Sequence, residues 1–194
     1  MNELNATAHK ILDVAERLTQ LHGFNAFSYK ALQDEVGVKT STIHYYFPTK
    51  QDLALRLVER HGVRFAELLK QIDGTHSEAI GRINALAQVY IDTLSQGKFC
   101  MCGMLASDLL ALPEQANQRL QDFFQQVEAW LAKALVLGQE QGRIQSGIDI
   151  EGTASLLLST LEGGMLIARA HGCSAYLERV MNTLMQQIGK AYTE

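Results

Sequence analysis

The chain has 194 residues, of which 47% are apolar and 20% charged, with a formal net charge of -4 and only two prolines. That is enough apolar material for one or two domains with a real core, and it excludes an intrinsically disordered chain. The acidic balance excludes coating of nucleic acid by bulk charge, so any such partner has to be met by placed residues.

The composition is rich in Ala, Leu, Gln and Glu, all good helix formers, and an all-α protein is expected. The polar start, MNELNATAHK, lacks the apolar core of a signal peptide, and no apolar run reaches membrane-spanning length. Cys100, Cys102 and Cys173 make an odd count without disulfide-framework spacing. A reducing cytoplasm is the expected compartment, with no membrane partner.

A first helix is expected over Thr7 to His22, with Ile11, Val14, Ala15 and Leu18 on one face. Gly23 ends it, and Phe24 and Phe27 return to the core. Ser28 caps a second helix that turns Leu32 and Val36 inward. Gly37 makes a tight turn and Val38 packs back. Thr40 or Ser41 caps a third helix, which runs to about Tyr46 before Pro48. Thr49 caps a long fourth helix with Leu53, Leu57 and Val58 as its stripe. Longer helices are expected near His76–Ser95, Phe99–Ala111, Pro113–Gln141, Asp149–Ala170 and Ser174–Tyr192. Gly97, Gly142, Gly147 and Gly172 punctuate them, and no repeat, low-complexity tract or strand pattern competes.

The stretch Ser28 to Lys50, SYKALQDEVGVKTSTIHYYFPTK, carries the functional signal. Its second helix exposes short polar side chains at its start, Lys39, Thr40, Ser41 and Thr42, where a recognition helix meets bases. The positive end of the helix dipole adds attraction for phosphate. His44, Tyr45, Tyr46 and Lys50 follow as donors suited to phosphate oxygens.

The segments ILDVAERLTQLHGF, FSYKALQDEVGVKTSTI and YYFPTKQDL resemble the N-terminal DNA-binding domain of TetR-family transcriptional regulators. The run aromatic–aromatic–Phe–x–Ser/Thr–Lys–x–x–Leu is specific to that family. The resemblance implies an N-terminal three-helix helix-turn-helix DNA-binding domain, placed at 1–50. A larger helical ligand-binding and dimerisation domain would follow at 51–194. Position by position, it implies that Ser28 and Lys50 hold phosphates. Lys39, Thr40, Ser41, Thr42 and His44 would face the groove. Tyr45 and Tyr46 would contact the DNA backbone or support the helix, and Phe47 would be core. Two departures stand out. His44 replaces the usual tyrosine, which makes a pH-sensitive contact conceivable. Gln33 replaces the usual small residue, which is expected to loosen the packing of the two helices.

In the family a small molecule usually fills a cavity in the body, and its filling changes the spacing of the two heads. Candidate lining residues here are Phe65, Leu69 and Tyr90, then Phe99, Met101, Cys102, Met104 and Leu105, and finally Phe123, Phe124 and Met165. Methionines and aromatics suit an adaptable apolar pocket, although ordinary core is the competing reading for each. The segment KFCMCGMLASDLLALPE resembles a subgroup of the family, in which a thiol switch at Cys100 or Cys102 is an alternative input. Two residues apart on a helix, these thiols point to opposite sides and do not pair easily.

The last two helices suggest a dimer interface through Leu157, Leu161, Gly163 and Gly164 on one and Tyr176, Leu177, Val180 and Leu184 on the other. A homodimeric repressor is therefore expected, with a double-stranded DNA operator and a small-molecule effector as partners, without cofactor or metal. The competing class is a helical enzyme or carrier without DNA binding, but no nucleophile–base spacing, phosphate-cradling glycine loop or paired carboxylates support it.

Overall fold

A computed structural model describes residues 5–190. Among the described residues the chain forms nine α-helices and no strand beyond an isolated antiparallel bridge, Ile144 with Gly189. The helices are α1 Ala6–His22, α2 Tyr29–Val36, α3 Thr40–Tyr46, α4 Lys50–Thr75, α5 Ala79–Ser95, α6 Met101–Ser107, α7 Glu114–Glu140, α8 Ile150–His171 and α9 Ala175–Ile188. None is long and apolar enough to cross a membrane.

Apart from the start of α3, taken up below, the boundaries of the first six helices fall where local chemistry puts them, with two exceptions. Asn5 caps α1 by accepting the Ala8 N–H at 3.0 Å. Thr49 and Asp52 cap α4 reciprocally: Asp52 Oδ2 accepts from Thr49 N at 3.0 Å, and Thr49 Oγ1 accepts from Asp52 N at 3.1 Å. The exceptions are α5 and α6. Helix α5 starts at Ala79, three residues after the expected His76, because Gln141 Oε1 takes the Ala79 N–H at 2.9 Å while its Nε2 donates to Ser77 O. Helix α6 stops at Ser107, and Leu109–Ala111 make a separate 3₁₀ turn rather than its last turn. Helix α9 ends at Ile188; its expected end at Tyr192 lies outside the described residues.

The chain divides into two compact units. The first holds the described residues up to Arg64 together with Lys98–Phe123; the second holds Phe65–Gly97 and the described residues from Phe124 onward. In the first, α1 packs on α2, α3 and α6. Ile11, Leu12, Leu32, Ile43, Leu53, Leu57, Met101 and Leu105 are wholly buried there. Phe99 N–H donates to Gln20 O at 3.0 Å, tying the lead-in of α6 to α1. In the second, α8 packs closely on α9, and both pack on α5. A methyl on Gly164 would come 2.6 Å from Leu177 Cδ1, so glycine is what lets these two helices approach.

Candidate nucleic-acid interface

The corner between α2 and α3 depends on Gly37, at φ 77° and ψ 29°, a left-handed conformation that costs side-chain-bearing residues about 1–2 kcal/mol. Its N–H donates to Gln33 O at 2.8 Å, closing α2. Lys10 reaches from α1 to take Val36 O at 2.8 Å, another carbonyl that the helix end would leave orphaned.

The start of α3 differs from expectation. Lys39 occupies the N-cap position without a side-chain cap bond, and neither Thr40 nor Ser41 caps the helix. Gln33 does so from α2. Its Oε1 accepts the Thr40 N–H at 2.9 Å and also the Thr40 hydroxyl. Gln33 therefore ties the two helices together rather than loosening them.

Ile43, with no exposed surface, anchors α3 from beneath. On the outer side Lys39, Ser41, His44 and Tyr45 are exposed, while Thr40, Thr42 and Tyr46 are half-buried. Tyr45 is 79% exposed, unusual for a large aromatic side chain. It meets the edge of Tyr46, ring centroids 5.0 Å apart, and the Tyr46 hydroxyl accepts from Asn5 Nδ2. The His44 ring lies 4.7 Å from that of Tyr29, and its Nδ1 is 3.0 Å from Pro48 O. Tyr29 holds the α3–α4 connection through its hydroxyl, 2.6 Å from Thr49 O and 2.9 Å from Phe47 O. Burial, aided by the charge of Asp52, pushes that hydroxyl's pKa up.

Ser28 is exposed and caps α2 by accepting from Ala31 N at 3.3 Å. Lys50 is half-buried. Its Nζ donates to Phe24 O at 2.6 Å and sits 4.8 and 4.6 Å from the centroids of Phe24 and Phe27. Burial lowers its pKa, and Asp108 pulls the other way. Lys50 is thus engaged by the fold.

A charged cluster braces α1 against α4. Glu16 Oε2 accepts from Arg60 Nη2 at 2.5 Å and Arg64 Nη1 at 3.3 Å, and Glu16 Oε1 is 3.2 Å from His61 Nδ1. Asp13 Oδ1 takes Arg60 Nη1 at 2.8 Å. Burial alone would raise the Glu16 carboxyl, but His61 and Arg60 outweigh it and hold it at about 2. Sequence reasoning passed over this cluster, and over Asn5, Lys10 and Tyr29, because each joins elements distant in the chain and none sits in a motif.

The candidate effector residues fall into both units. Phe99, Met101, Cys102, Met104, Leu105 and Phe123 belong to the first, and Phe65, Leu69, Tyr90, Phe124 and Met165 to the second. Most are buried, with Met104 and Phe124 half-buried. Tyr90 donates to Glu162 Oε1 at 3.2 Å. Cys100 and Cys102 are both buried, and Cys100 Sγ accepts from Gly103 N at 3.5 Å, while Cys173 is exposed. Two surface clefts of the second unit, one beside Leu94, Ala168 and Cys173 and one beside Lys133, Val136 and Ile150, are lined by none of the candidates.

On the last two helices, Leu157, Leu161, Gly164, Leu177 and Leu184 are buried inside the single chain, where they form the α8–α9 core. Gly163, Tyr176 and Val180 are half-buried. The apolar residues of α8 that face outward are Leu156, Leu166 and Ile167, which sequence periodicity alone had not separated from the core stripe.

Residues 11–57 match the family described as bacterial regulatory proteins, tetR family, and residues 79–184 match the tetracyclin repressor-like C-terminal domain. A TetR-family transcriptional regulator from Agrobacterium tumefaciens superposes with a TM-score of 0.90 at 28% identity, over 95% of this chain and 98% of that one. A TetR regulator from Legionella pneumophila is 34% identical with a TM-score of 0.80, over 97% of this chain and 100% of that one. The uncharacterized HTH-type transcriptional regulator YxaF of Bacillus subtilis is 26% identical over 172 residues, 87% of either chain.

Proposed function

This chain belongs to the TetR family of bacterial regulatory proteins, a DNA-binding transcriptional regulator and not an enzyme, and from that premise we propose a homodimeric repressor that a small molecule releases from a palindromic operator. The observation that carries the reading is the outer side of α3. A helix anchored by a fully buried Ile43 presents Lys39, Ser41, His44 and a 79% exposed Tyr45 to solvent. The Tyr45 ring leaves apolar area in water unless a partner covers it, and the donors beside it suit groove edges and phosphates. Ser28 and Thr42 would add contacts to the row, with Tyr46, bonded to Asn5, and Lys50, bonded to Phe24 O, held by the fold.

A single head of this size buries too little DNA for selective binding, so two heads on a two-fold axis are needed, with half-sites about 34–36 Å apart on successive turns. The outward apolar residues of α8, Leu156, Leu166 and Ile167, exposed by 51, 63 and 42%, support a dimer through this face, with Gly163, Tyr176 and Val180 beside it. For the effector, the buried Phe65, Leu69, Tyr90 and Met165 of the second unit would supply apolar walls, and the Tyr90–Glu162 pair an orienting polar contact. Such a regulator works in the cytoplasm, where its operator is.

The alternative input is covalent, through Cys100 or Cys102. Their burial favours packing, because a shielded thiol meets dissolved oxidants poorly. Selection of bound duplexes from a random pool, repeated with an alkylating agent and with apolar small molecules, tests all parts. A palindrome released by small molecules and not by alkylation is the expected result. Release by alkylation, lost in Cys102→Ser or Cys100→Ser, would establish the thiol switch instead. No enriched sequence would overturn the reading of the head.

A further inference from the structure

We propose that Gln33 is a specificity-determining residue, which acts by fixing the hydrogen-bonding character of Thr40 at the front of the recognition helix. The inference rests on the DNA-binding reading above and adds a residue outside α3 to it.

The argument is one of hydrogen bookkeeping. A backbone N–H only donates, so the atom of the Gln33 amide that faces Thr40 N at 2.9 Å is the oxygen. This fixes the amide orientation and turns Nε2 outward, where Asp34 Oδ1 lies 3.5 Å away. The same Oε1 contacts Thr40 Oγ1. An amide oxygen carries no hydrogen, so the hydrogen in that contact belongs to the threonine hydroxyl. Both donors of Thr40 are consumed by one side chain of the preceding helix.

Two consequences follow for recognition. First, Thr40 retains only lone pairs and a methyl for DNA. It accepts from adenine N6 or cytosine N4, or lies on a thymine methyl, but it cannot donate to guanine O6 or N7, to thymine O4 or to a phosphate. Secondly, the first turn of α3 is held to α2 by a rigid amide, not only by the Gly37 corner, so the angle at which Ser41 and His44 are presented depends on residue 33. A hydrophobic or small residue there leaves the Thr40 hydroxyl free to turn outward as a donor. A glutamate keeps the acceptor and the lock.

The test compares the full chain with Gln33→Ala and Gln33→Glu. Thr40 amide hydrogen exchange in the DNA-free protein is measured first, with circular dichroism confirming that helix content is kept. The expected result is loss of Thr40 protection in Gln33→Ala and retention in Gln33→Glu. Base preference is then read by selection from a random duplex pool. In Gln33→Ala the preference at one position of each half-site should move from adenine, cytosine or thymine toward guanine, whose major-groove edge offers acceptors alone, by about tenfold, the order that one mismatched base pair costs. In Gln33→Glu overall affinity falls with the added negative charge, but the ranking of bases stays as in the wild type.

Unchanged Thr40 exchange in Gln33→Ala overturns the proposal, as does an affinity loss that is equal across all duplexes. So does a base ranking in Gln33→Glu that follows Gln33→Ala. If the wild type enriches no duplex while Thr40 protection depends on Gln33, the failure lies with the DNA-binding reading, and the recognition role falls with it.

Discussion

Replacing Glu16 by glutamine removes the one carboxylate on which Arg60, His61 and Arg64 converge. The side chains of Glu16, Arg60 and His61 are only 14, 11 and 15% exposed, so solvent screens their interaction weakly. The carboxyl is lowered from an ordinary 4.5 to about 2. That difference corresponds to folding free energy on the order of 3 kcal/mol at neutral pH, similar to the cost of breaking a buried ion pair. Because the folded-state pKa is depressed, the contribution is complete above about pH 4.5 and is withdrawn as the pH falls toward 2. For a chain of this length the thermal midpoint should drop by roughly 6–12 °C. Urea and thermal unfolding of wild type and Glu16→Gln, at one fixed protein concentration so that subunit association does not intervene, measure it. The two proteins should differ fully at pH 7 and converge as the pH approaches 2. A difference under about 1 kcal/mol at pH 7, well below the estimate from linkage, would refute the reasoning. So would a gap that persists undiminished in acid.

Three further expectations concern other parts of the chain. Gly164→Ala places a methyl against Leu177 and should destabilise by about 1–2 kcal/mol, whereas Gly163→Ala, with nothing within 4 Å in the chain, should gain some tenths of a kcal/mol in helix propensity; chemical denaturation of both distinguishes the core-facing from the outward glycine. Leu166→Glu, at a position 63% exposed, should leave helix content intact and convert a dimer to monomer in sedimentation equilibrium, and an unchanged mass would remove α8 from the interface. Lys50→Ala deletes the donor to Phe24 O and should lower stability by about 1–2 kcal/mol together with a uniform loss of affinity across duplexes; loss of affinity at unchanged stability would return Lys50 to a direct phosphate role.

The first three helices were legible in the sequence to within a residue or two, because most of their limits are set locally. Ser28, Gly37 and Pro48 each act within one turn of where they stand. The start of α5 was not legible, since its cap comes from Gln141, 62 residues away. Nor was the break after Ser107, where periodic leucines continue but the backbone changes pitch at Asp108. At the recognition surface, residue types on α3 could be read directly. What holds α3 could not, because a glutamine looks like any exposed polar residue until its partner is known. The inward and outward leucines of α8 were not separable for a related reason: a helix of mean apolar character shows no clear face, and only the packing of α9 separates Leu157 from Leu156.

The return of residues 98–123 to the unit that carries α1–α3 has a consequence for synthesis. A growing chain that has emerged only through Arg64 has all of α1–α3, yet lacks Phe99, which bonds Gln20 O, and Met104, which packs at Gly23. Helix α1 then lacks the cover that α6 gives it. The unit that carries α1–α3 is thus completed only after more than half of the polypeptide has left the ribosome.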